Sequence, residues 1–235
     1  MATIQLGGGV ASIRGSIGGW VFSRNGGGDY VRNRAIPVQP GSVFQNAVKA
    51  LMSQLTNLWS SVLTEDQREA WRSYAAAVEL PNSQGIYRNV GGLGMYVRSN
   101  IPRLQASITA FPRVDDGPVD FTLGEYTAPD VTLASEAAQT VGVAFENTDG
   151  WANEDEAGML VYLSRPQNPG VGFFKGPYRF AGKIEGDSVT PPTSPATMPV
   201  PFPIVEGQKV FYRANVTRDD GRLGTDFRGS TIAVA

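Results

Sequence analysis

The chain has 235 residues, of which 41% are hydrophobic and 18% charged, enough for a substantial core. It contains no cysteine and no histidine, which excludes disulfides, thiol chemistry, and zinc sites or catalysis that depend on these residues. The net charge of −2 combines a basic half, with 11 basic and 5 acidic residues before position 115, and an acidic half with 9 and 17. This asymmetry indicates either an oriented molecule whose ends face different partners, or two solvated domains of different isoelectric point.

Residues 1–40 are predicted to form an extended arm that carries a β-hairpin. The aromatic and β-branched stretches "WVFSR" and "DYVRNR" flank "NGGG", whose glycines tolerate the positive φ angles of a tight turn. We therefore expect Trp20–Arg24 to pair with Tyr30–Arg34. A two-stranded ribbon is marginally stable alone. Trp20 should therefore pack against the chain's own helices or against another subunit.

The glycine-rich stretch is not predicted to bind a nucleotide. It lacks the lysine of a phosphate-binding loop, and a strand rather than a helix follows the glycines. The arginines of the arm could stack with nucleic acid bases, but no RNA-recognition motif accompanies them, and an acidic protein surface fits the same pattern. We expect a subunit interface formed by Trp20, Phe22, Arg24, Tyr30, Arg32 and Arg34.

Residues 41–112 are predicted to form a helical domain. Ser42 is a candidate N-cap for the first helix, whose apolar residues recur at spacings of three and four. This stripe comprises Phe44, Val48, Leu51, Leu55, Leu58, Trp59 and Val62. The break before the next helix is short, so the two helices should form an antiparallel pair.

Two more helices follow in this domain. Thr64 and Gln67 have the spacing of a capping box at the start of the second helix. The third helix is expected over residues 93–104, where Pro102 should kink or end it. The predicted inward residues are Trp71, Tyr74, Ala75 and Val78 in the second helix, and Leu93, Val97, Ile101 and Leu104 in the third.

Residues 113–235 are predicted to form an antiparallel β-sandwich. Seven short strand-like stretches, separated by turn residues, are typical of immunoglobulin-like folds. They begin at "VDFTLGEY", "DVTLAS", "TVGVAFEN", "GMLVYLSRP", "YRFAGKIEG", "QKVFYRANVTR" and "STIAVA". The proline-dense segment 190–203 is expected to be a loop.

The last two predicted strands resemble those of fibronectin type III domains, in which an aromatic strand turns at Asp-Gly and a Thr-Ile-x-Val strand follows. Tyr212 lies where that family often has its corner tyrosine. The resemblance implies an immunoglobulin or fibronectin III-like fold for the C-terminal domain. The expected fold class is α+β, with the three parts in the order hairpin arm, helical block and sandwich.

No catalytic, cofactor or metal site is predicted. The acidic clusters Glu154–Glu156, Asp115–Asp116 and Asp219–Asp220 are interpreted as solvated turn residues, because adjacent carboxylates do not establish the facing pair of a glycosidase or the ligand spacing of a calcium loop. A carboxylate-dependent hydrolase therefore remains only a rival hypothesis.

Residues 12–105 resemble a group of proteins encoded by tailed phages and prophages, most of them uncharacterised. The shared pattern is a G-x-x-G hairpin followed by W…LT-x-x-Q-R-x-A-W. Here it comprises Gly15, Gly18, Phe22, Arg24, Trp59, Leu63, Thr64, Gln67, Arg68, Ala70, Trp71, Tyr74 and Ala75. The resemblance implies a structural role in a virus particle.

The expected function is that of a non-enzymatic virion protein, an accessory or decoration component of capsid or tail. The arm and helices would attach it, and the sandwich would project. Expected partners are other virion proteins or copies of the chain, in an oligomer without cofactor, membrane or nucleic acid. No apolar run is long enough for a membrane span, so we expect synthesis in the host cytoplasm.

Two alternatives remain open. The first is a module that binds a host receptor or carbohydrate through exposed aromatic residues such as Phe173, Phe174 and Tyr178. The second is a structural protein of a cell surface or filament, which the geometry of the subunits would reveal.

Overall fold

The computed structural model describes the chain except residues 1, 4–6, 10–12, 26–27, 37, 40, 82–84 and 108, and the side chains of residues 2, 3, 25 and 132–134. The chain divides into two compact units, residues 1–45 and residues 46–235. The helices and the C-terminal strands therefore belong largely to one unit.

The first unit contains a four-stranded antiparallel sheet. Its strands are β1 (Ala2–Thr3), β2 (Gly15–Ile17), β3 (Trp20–Asn25) and β4 (Gly28–Asn33), in the order β1-β4-β3-β2. The predicted hairpin is confirmed as β3 and β4, and two strands that were not predicted extend it. The turn glycines at 26 and 27 lie outside the described residues. Four paired strands satisfy more backbone groups than an isolated ribbon can.

Three helices follow, and their starts agree with the sequence. They are α1 (Val43–Ser61), α2 (Glu65–Ala77) and α3 (Gly92–Ala106). Ser42 caps α1, because the backbone N–H of Gln45 donates to its hydroxyl at 3.4 Å. At α2 the capping box is complete: the N–H of Gln67 donates to Thr64 Oγ1 at 3.2 Å, and the N–H of Thr64 donates to Gln67 Oε1 at 3.0 Å.

The predicted buried face is correct for α2 and only partly correct for α1. All four residues predicted to be buried by α2 are buried: Trp71, Tyr74 and Ala75 in the helix, and Val78 at its C-cap. In α1 only Leu55 is fully buried, whereas Phe44 and Val48, and Val62 just after the helix, are exposed. The helix packed most closely against α2 is α3 rather than α1. Trp59 of α1 and Trp71 of α2 both contact the ring of Tyr96, with centroids 5.6 Å apart in each case.

The prediction for the buried face of α3 was only partly correct. The helix continues past Pro102 to Ala106, so the proline does not end it. Of the four predicted inward residues Val97 is buried, and Leu93, Ile101 and Leu104 are half-buried against the helical core. The fully buried face also includes three polar residues. Asn100 and Arg103 form hydrogen bonds to neighbouring segments, whereas the buried hydroxyl of Ser99 has no partner among the described residues. This face is formed by Gly92, Met95, Tyr96, Val97, Ser99, Asn100 and Arg103.

The remaining strands are antiparallel. A short hairpin of β5 (Glu79–Pro81) and β6 (Tyr87–Asn89) connects α2 to α3. A three-stranded sheet has the order β11-β8-β7, and a four-stranded sheet has the order β10-β9-β12-β13. Their strands are β7 (Asp130–Ser135), β8 (Thr140–Ala144), β9 (Gly158–Leu163), β10 (Arg179–Glu185), β11 (Ala196–Pro199), β12 (Lys209–Thr217) and β13 (Phe227–Ile232).

Six of the seven predicted strand regions are confirmed, and one is wrong. Residues 119–126 form no strand; Tyr126 instead donates its hydroxyl hydrogen to the carbonyl of Thr225 at 2.6 Å. The proline-dense segment, predicted as a loop, contains β11. This strand buries Met198 in the core and lies at the edge of its sheet, where Pro199 costs no ladder bond to a further strand.

One hydrophobic core receives side chains from both of these sheets, among them Val141, Val161, Met198 and Val216. The opposite face of the four-stranded sheet is also covered, because Phe111 packs with Leu160 and Tyr162 there. Every residue of β9 is consequently buried. The structure is thus α+β, with helices α2 and α3 and antiparallel sheets in one unit. None of the described helices is long and apolar enough to cross a lipid bilayer.

Candidate functional sites

The six predicted interface residues lie on both faces of the N-terminal sheet. Pairing of Phe22 with Val31 and of Trp20 with Asn33 puts Trp20, Phe22 and Arg24 on one face. By the same alternation Tyr30 and Arg32 lie on the other face, and Arg34 follows the end of β4. The sheet thus divides the predicted interface between two faces. We call the face with Trp20, Phe22 and Arg24 the aromatic face; the other face has Tyr30 and Arg32.

The aromatic face exposes large apolar side chains. Ile17 of β2 lies directly opposite Trp20, and the two side chains are 71% and 56% exposed. Phe22 is half-buried beside the buried Val31. An exposed tryptophan paired with an exposed isoleucine is typical of a surface that a partner covers.

Local backbone geometry holds these two residues together. Gly18 has a φ of +58°, which a residue with a Cβ rarely adopts, and it allows the two-residue turn between Ile17 and Trp20. The N–H of Arg34 donates to the carbonyl of Gly19 at 2.7 Å, which ties the end of β4 to this turn. Arg24 and Asp29 face each other across the hairpin at 3.9 Å, and the arginine is mostly exposed, so this ion pair contributes little stability.

The acidic clusters are engaged in ion pairs. Glu154 binds the guanidinium of Arg218 through two hydrogen bonds, one of them 2.6 Å long. Asp115 binds Arg113 through two bonds of 2.6 Å. Asp220 accepts a bond of 2.7 Å from Nε of Arg222. Among the described residues, no three acidic side chains are grouped so that they could hold a metal ion.

The aromatic residues proposed as a receptor-binding patch do not form one exposed surface. Phe173 is 73% exposed. Phe174, however, stacks on Phe211 at 5.7 Å and meets Tyr178 edge to face at 5.3 Å. The Tyr178 hydroxyl donates to the carbonyl of Phe174 at 3.1 Å. Two of the three rings therefore serve internal packing.

A cleft that sequence reasoning missed lies beside α3, on the outer face of the four-stranded sheet. It encloses about 520 Å³. We name it the arginine cleft after Arg98 of α3, Arg213 of β12 and Arg228 of β13. Its other lining residues are Leu80, Pro81, Pro102, Asn215, Leu223, Thr225 and Asp226.

Two of the three arginines, Arg213 and Arg228, share the carboxylate of Asp226. Asp226 lies 3.5 Å from Nη1 of Arg213 and 3.8 Å from Nη2 of Arg228, and it accepts a 3.0 Å hydrogen bond from Nδ2 of Asn215. Arg98 Nη2 donates to the carbonyl of Gly224 at 3.2 Å. Burial lowers the pKa of Arg98, which reflects the cost of keeping its charge away from water. The cleft is therefore electropositive.

Three polar atoms of the cleft are buried without a hydrogen-bond partner in the described part of the chain. They are Nη1 of Arg98, Nε of Arg213 and Oδ1 of Asn215. Each such atom costs roughly 1–3 kcal/mol. Three in one cleft are unusual, because nearly all buried polar groups are normally paired.

The sequence contained a partial signal for this cleft. Arg213 and Asn215 alternate with the apolar residues Tyr212, Ala214 and Val216 in "VFYRANV", which places them on the face opposite the core. Arg98, however, comes from a separate helix. Its approach to this face depends on tertiary packing that no local pattern specifies.

No protein-family model, no curated protein and no solved structure matches the chain. The resemblances to tailed-phage proteins and to fibronectin type III domains therefore stay predictions.

Proposed function

We propose that the chain is a non-enzymatic structural protein of a tailed-phage particle, an accessory or decoration component of capsid or tail. The observation that carries the proposal is the exposed pair of Ile17 and Trp20 on a compact N-terminal sheet. Burying this pair against a neighbouring subunit removes apolar surface from water, the main driving force of most protein association. The sequence pattern shared with phage-encoded proteins supports a particle as the assembly concerned.

The charge distribution supports attachment to acidic partners. Within residues 1–45 the charged residues are four arginines, Arg14, Arg24, Arg32 and Arg34, and a single aspartate, Asp29. Complementary charges steer encounters and fix orientation between partners. The acidic C-terminal half of another copy has suitable chemistry, as has an acidic surface of another virion protein.

We also propose that the C-terminal strands form an immunoglobulin or fibronectin III-like sandwich that projects from the particle. Seven antiparallel strands in sheets of three and four, joined by a common core, support this interpretation. Tyr212 lies on a central strand, and its hydroxyl contacts the carbonyl of Pro129 at 3.5 Å, at the start of β7. A corner tyrosine contacts the backbone only a few residues upstream. Tyr212 therefore does not form the tyrosine corner that its sequence position suggested.

The test is incorporation into particles made from the genome that encodes the chain. The double variant Ile17→Ser with Trp20→Ser removes the exposed apolar pair and leaves the buried Val31 in place. We expect it to reduce the amount of the protein in purified particles at least about tenfold, as loss of central interface residues does.

Phe173→Ser is the matched control, because it removes an exposed aromatic side chain from the other compact unit. It should leave incorporation unchanged, as quantified by mass spectrometry. Absence of the parent chain from the particles would refute the virion role. Equal incorporation of the double variant and the parent would refute attachment through this face.

A further inference from the structure

The arginine cleft has more positive charge than its own residues neutralise. Arg213 and Arg228 are direct partners across the β12–β13 ladder, and like charges directly opposite each other destabilise a sheet. Arg98 adds a third guanidinium from α3, and Asp226 is the one carboxylate among the lining residues. The arrangement is therefore incomplete unless a further anion balances it.

Two of the three guanidinium groups, those of Arg213 and Arg98, are held in place by surrounding contacts. The Arg213 guanidinium carbon lies 4.3 Å from the ring centroid of Tyr162, a cation–π contact. Arg98 is fixed by its bond to the carbonyl of Gly224. Side chains that are already fixed lose little entropy when they bind a ligand, so Arg98 and Arg213 are preorganised, whereas Arg228 is exposed at the rim of the cleft.

We propose that the arginine cleft binds an oxyanion, a carboxylate or phosphate group, carried by a small ligand. Such a group accepts strong, charge-assisted hydrogen bonds from guanidinium groups. The partnerless Nη1 of Arg98 and Nε of Arg213 are buried, so binding through these two atoms would require side-chain shifts that present them to the ligand. Oδ1 of Asn215 can accept a hydrogen bond from a hydroxyl or N–H next to the anionic group.

The walls of the cleft suit a compact organic ligand. Leu80, Pro81, Pro102 and Leu223 supply apolar surface around the charged groups, a combination common in small-molecule sites, and the volume lies within their usual range. This inference is independent of the proposed attachment role, because every lining residue belongs to residues 46–235 and the N-terminal sheet does not contribute.

The test is a titration of the full-length, ¹⁵N-labelled chain followed by NMR at constant ionic strength. The probes are sodium glucuronate, which combines a carboxylate with hydroxyl groups, inorganic phosphate, and uncharged glucose. Constant ionic strength removes the general screening of surface charges. We expect saturable shifts of the amides of residues 213–215 and 226–228 with an anionic probe and no such shifts with glucose.

Two cleft variants and one control decide the assignment. Arg98→Gln and Arg228→Gln should each weaken binding of the anionic probe about tenfold or more, because each removes a charge-assisted contact. Arg165→Gln changes an exposed arginine outside the cleft and should not affect binding. Thermal unfolding of each variant shows whether it is folded.

The outcomes separate the possible ligands. Saturation by glucuronate supports an acidic saccharide or hydroxy acid, and saturation by phosphate alone supports a phosphate-bearing ligand. Absence of saturable shifts with both anions would overturn the proposal. Equal shifts with glucose, or affinities unchanged in folded Arg98→Gln and Arg228→Gln, would also overturn it.

Discussion

At the scale of single residues, Arg103 shows how a charged side chain can join two parts of one unit. It is fully buried on α3. Its Nε donates to the carbonyl of Pro112 at 2.9 Å, and its Nη1 donates to Thr217 Oγ1 at 2.9 Å and to the carbonyl of Arg218 at 2.5 Å. Burial lowers its pKa to about 10. The residue therefore connects the helices to the end of β12 at an electrostatic cost.

Replacing this arginine should strongly destabilise the protein. Arg103→Met fills part of the volume but leaves three buried acceptors without their donor, so we expect the free energy of unfolding to fall by about 3 kcal/mol. Gln105→Met is the control, because Gln105 is exposed on the same helix, and it should change the free energy by less than about 0.5 kcal/mol. Urea unfolding measures both, and equal losses would contradict the structural role of Arg103.

Arg103 also illustrates a limit of prediction at this scale. Arg103 lies away from the apolar stripe that predicted the buried face of α3. Its burial depends on the carbonyl groups of Pro112 and Arg218, which are 9 and 115 positions away in the sequence. A local pattern contains no information about such acceptors. Trp71 and Tyr74 were predictable as core residues, because their apolar rings dominate the periodicity of α2 even though each also makes a distant hydrogen bond.

At the scale of elements, the helix starts were the most predictable features. Capping depends on side chains three residues apart, so the sequence of Thr64 to Gln67 specifies it almost completely. The buried face of a helix is less predictable, since it depends on which element packs against it. The apolar stripe of α1 is half exposed, and β11 forms inside a proline-dense segment because Met198 can enter the core.

The capping box supplies a prediction for α2. Thr64→Ala removes the acceptor of the Gln67 N–H, and we expect the free energy of unfolding to fall by about 1 kcal/mol. Thr56→Ala is the matched control within α1. The hydroxyl of Thr56 donates to the carbonyl of Met52, a bond that does little for a helix interior, and alanine has the better helix propensity. A control as destabilised as Thr64→Ala in thermal or urea unfolding would contradict the capping role.

At the scale of the whole molecule, the sequence predicted the α+β class and the positions of most elements. It did not predict that α2 and α3 would share one unit with the C-terminal sheets. Both faces of β9 are buried, and one of them is covered by Phe111, which follows α3. No local sequence pattern specifies such a contact between distant segments. The arginine cleft arises from that packing and was missed for the same reason.

The N-terminal sheet is a separate unit, and its own described strands leave Ile17 and Trp20 exposed. The sequence predicts that Trp20 needs a partner surface, and with 56% of the residue exposed the other strands of its own sheet do not provide one. We propose that another polypeptide, a second copy or a different virion protein, covers Trp20 in the assembled particle.

Site-specific photo-crosslinking tests this claim most directly. A benzophenone amino acid replaces Trp20 in one version of the chain and the exposed Phe173 in a control, and purified particles are irradiated and analysed by mass spectrometry. The account predicts that position 20 forms crosslinks to a separate polypeptide, whose identity the spectra give, and that position 173 does not. Crosslinks from position 20 exclusively to residues of the same chain would contradict it.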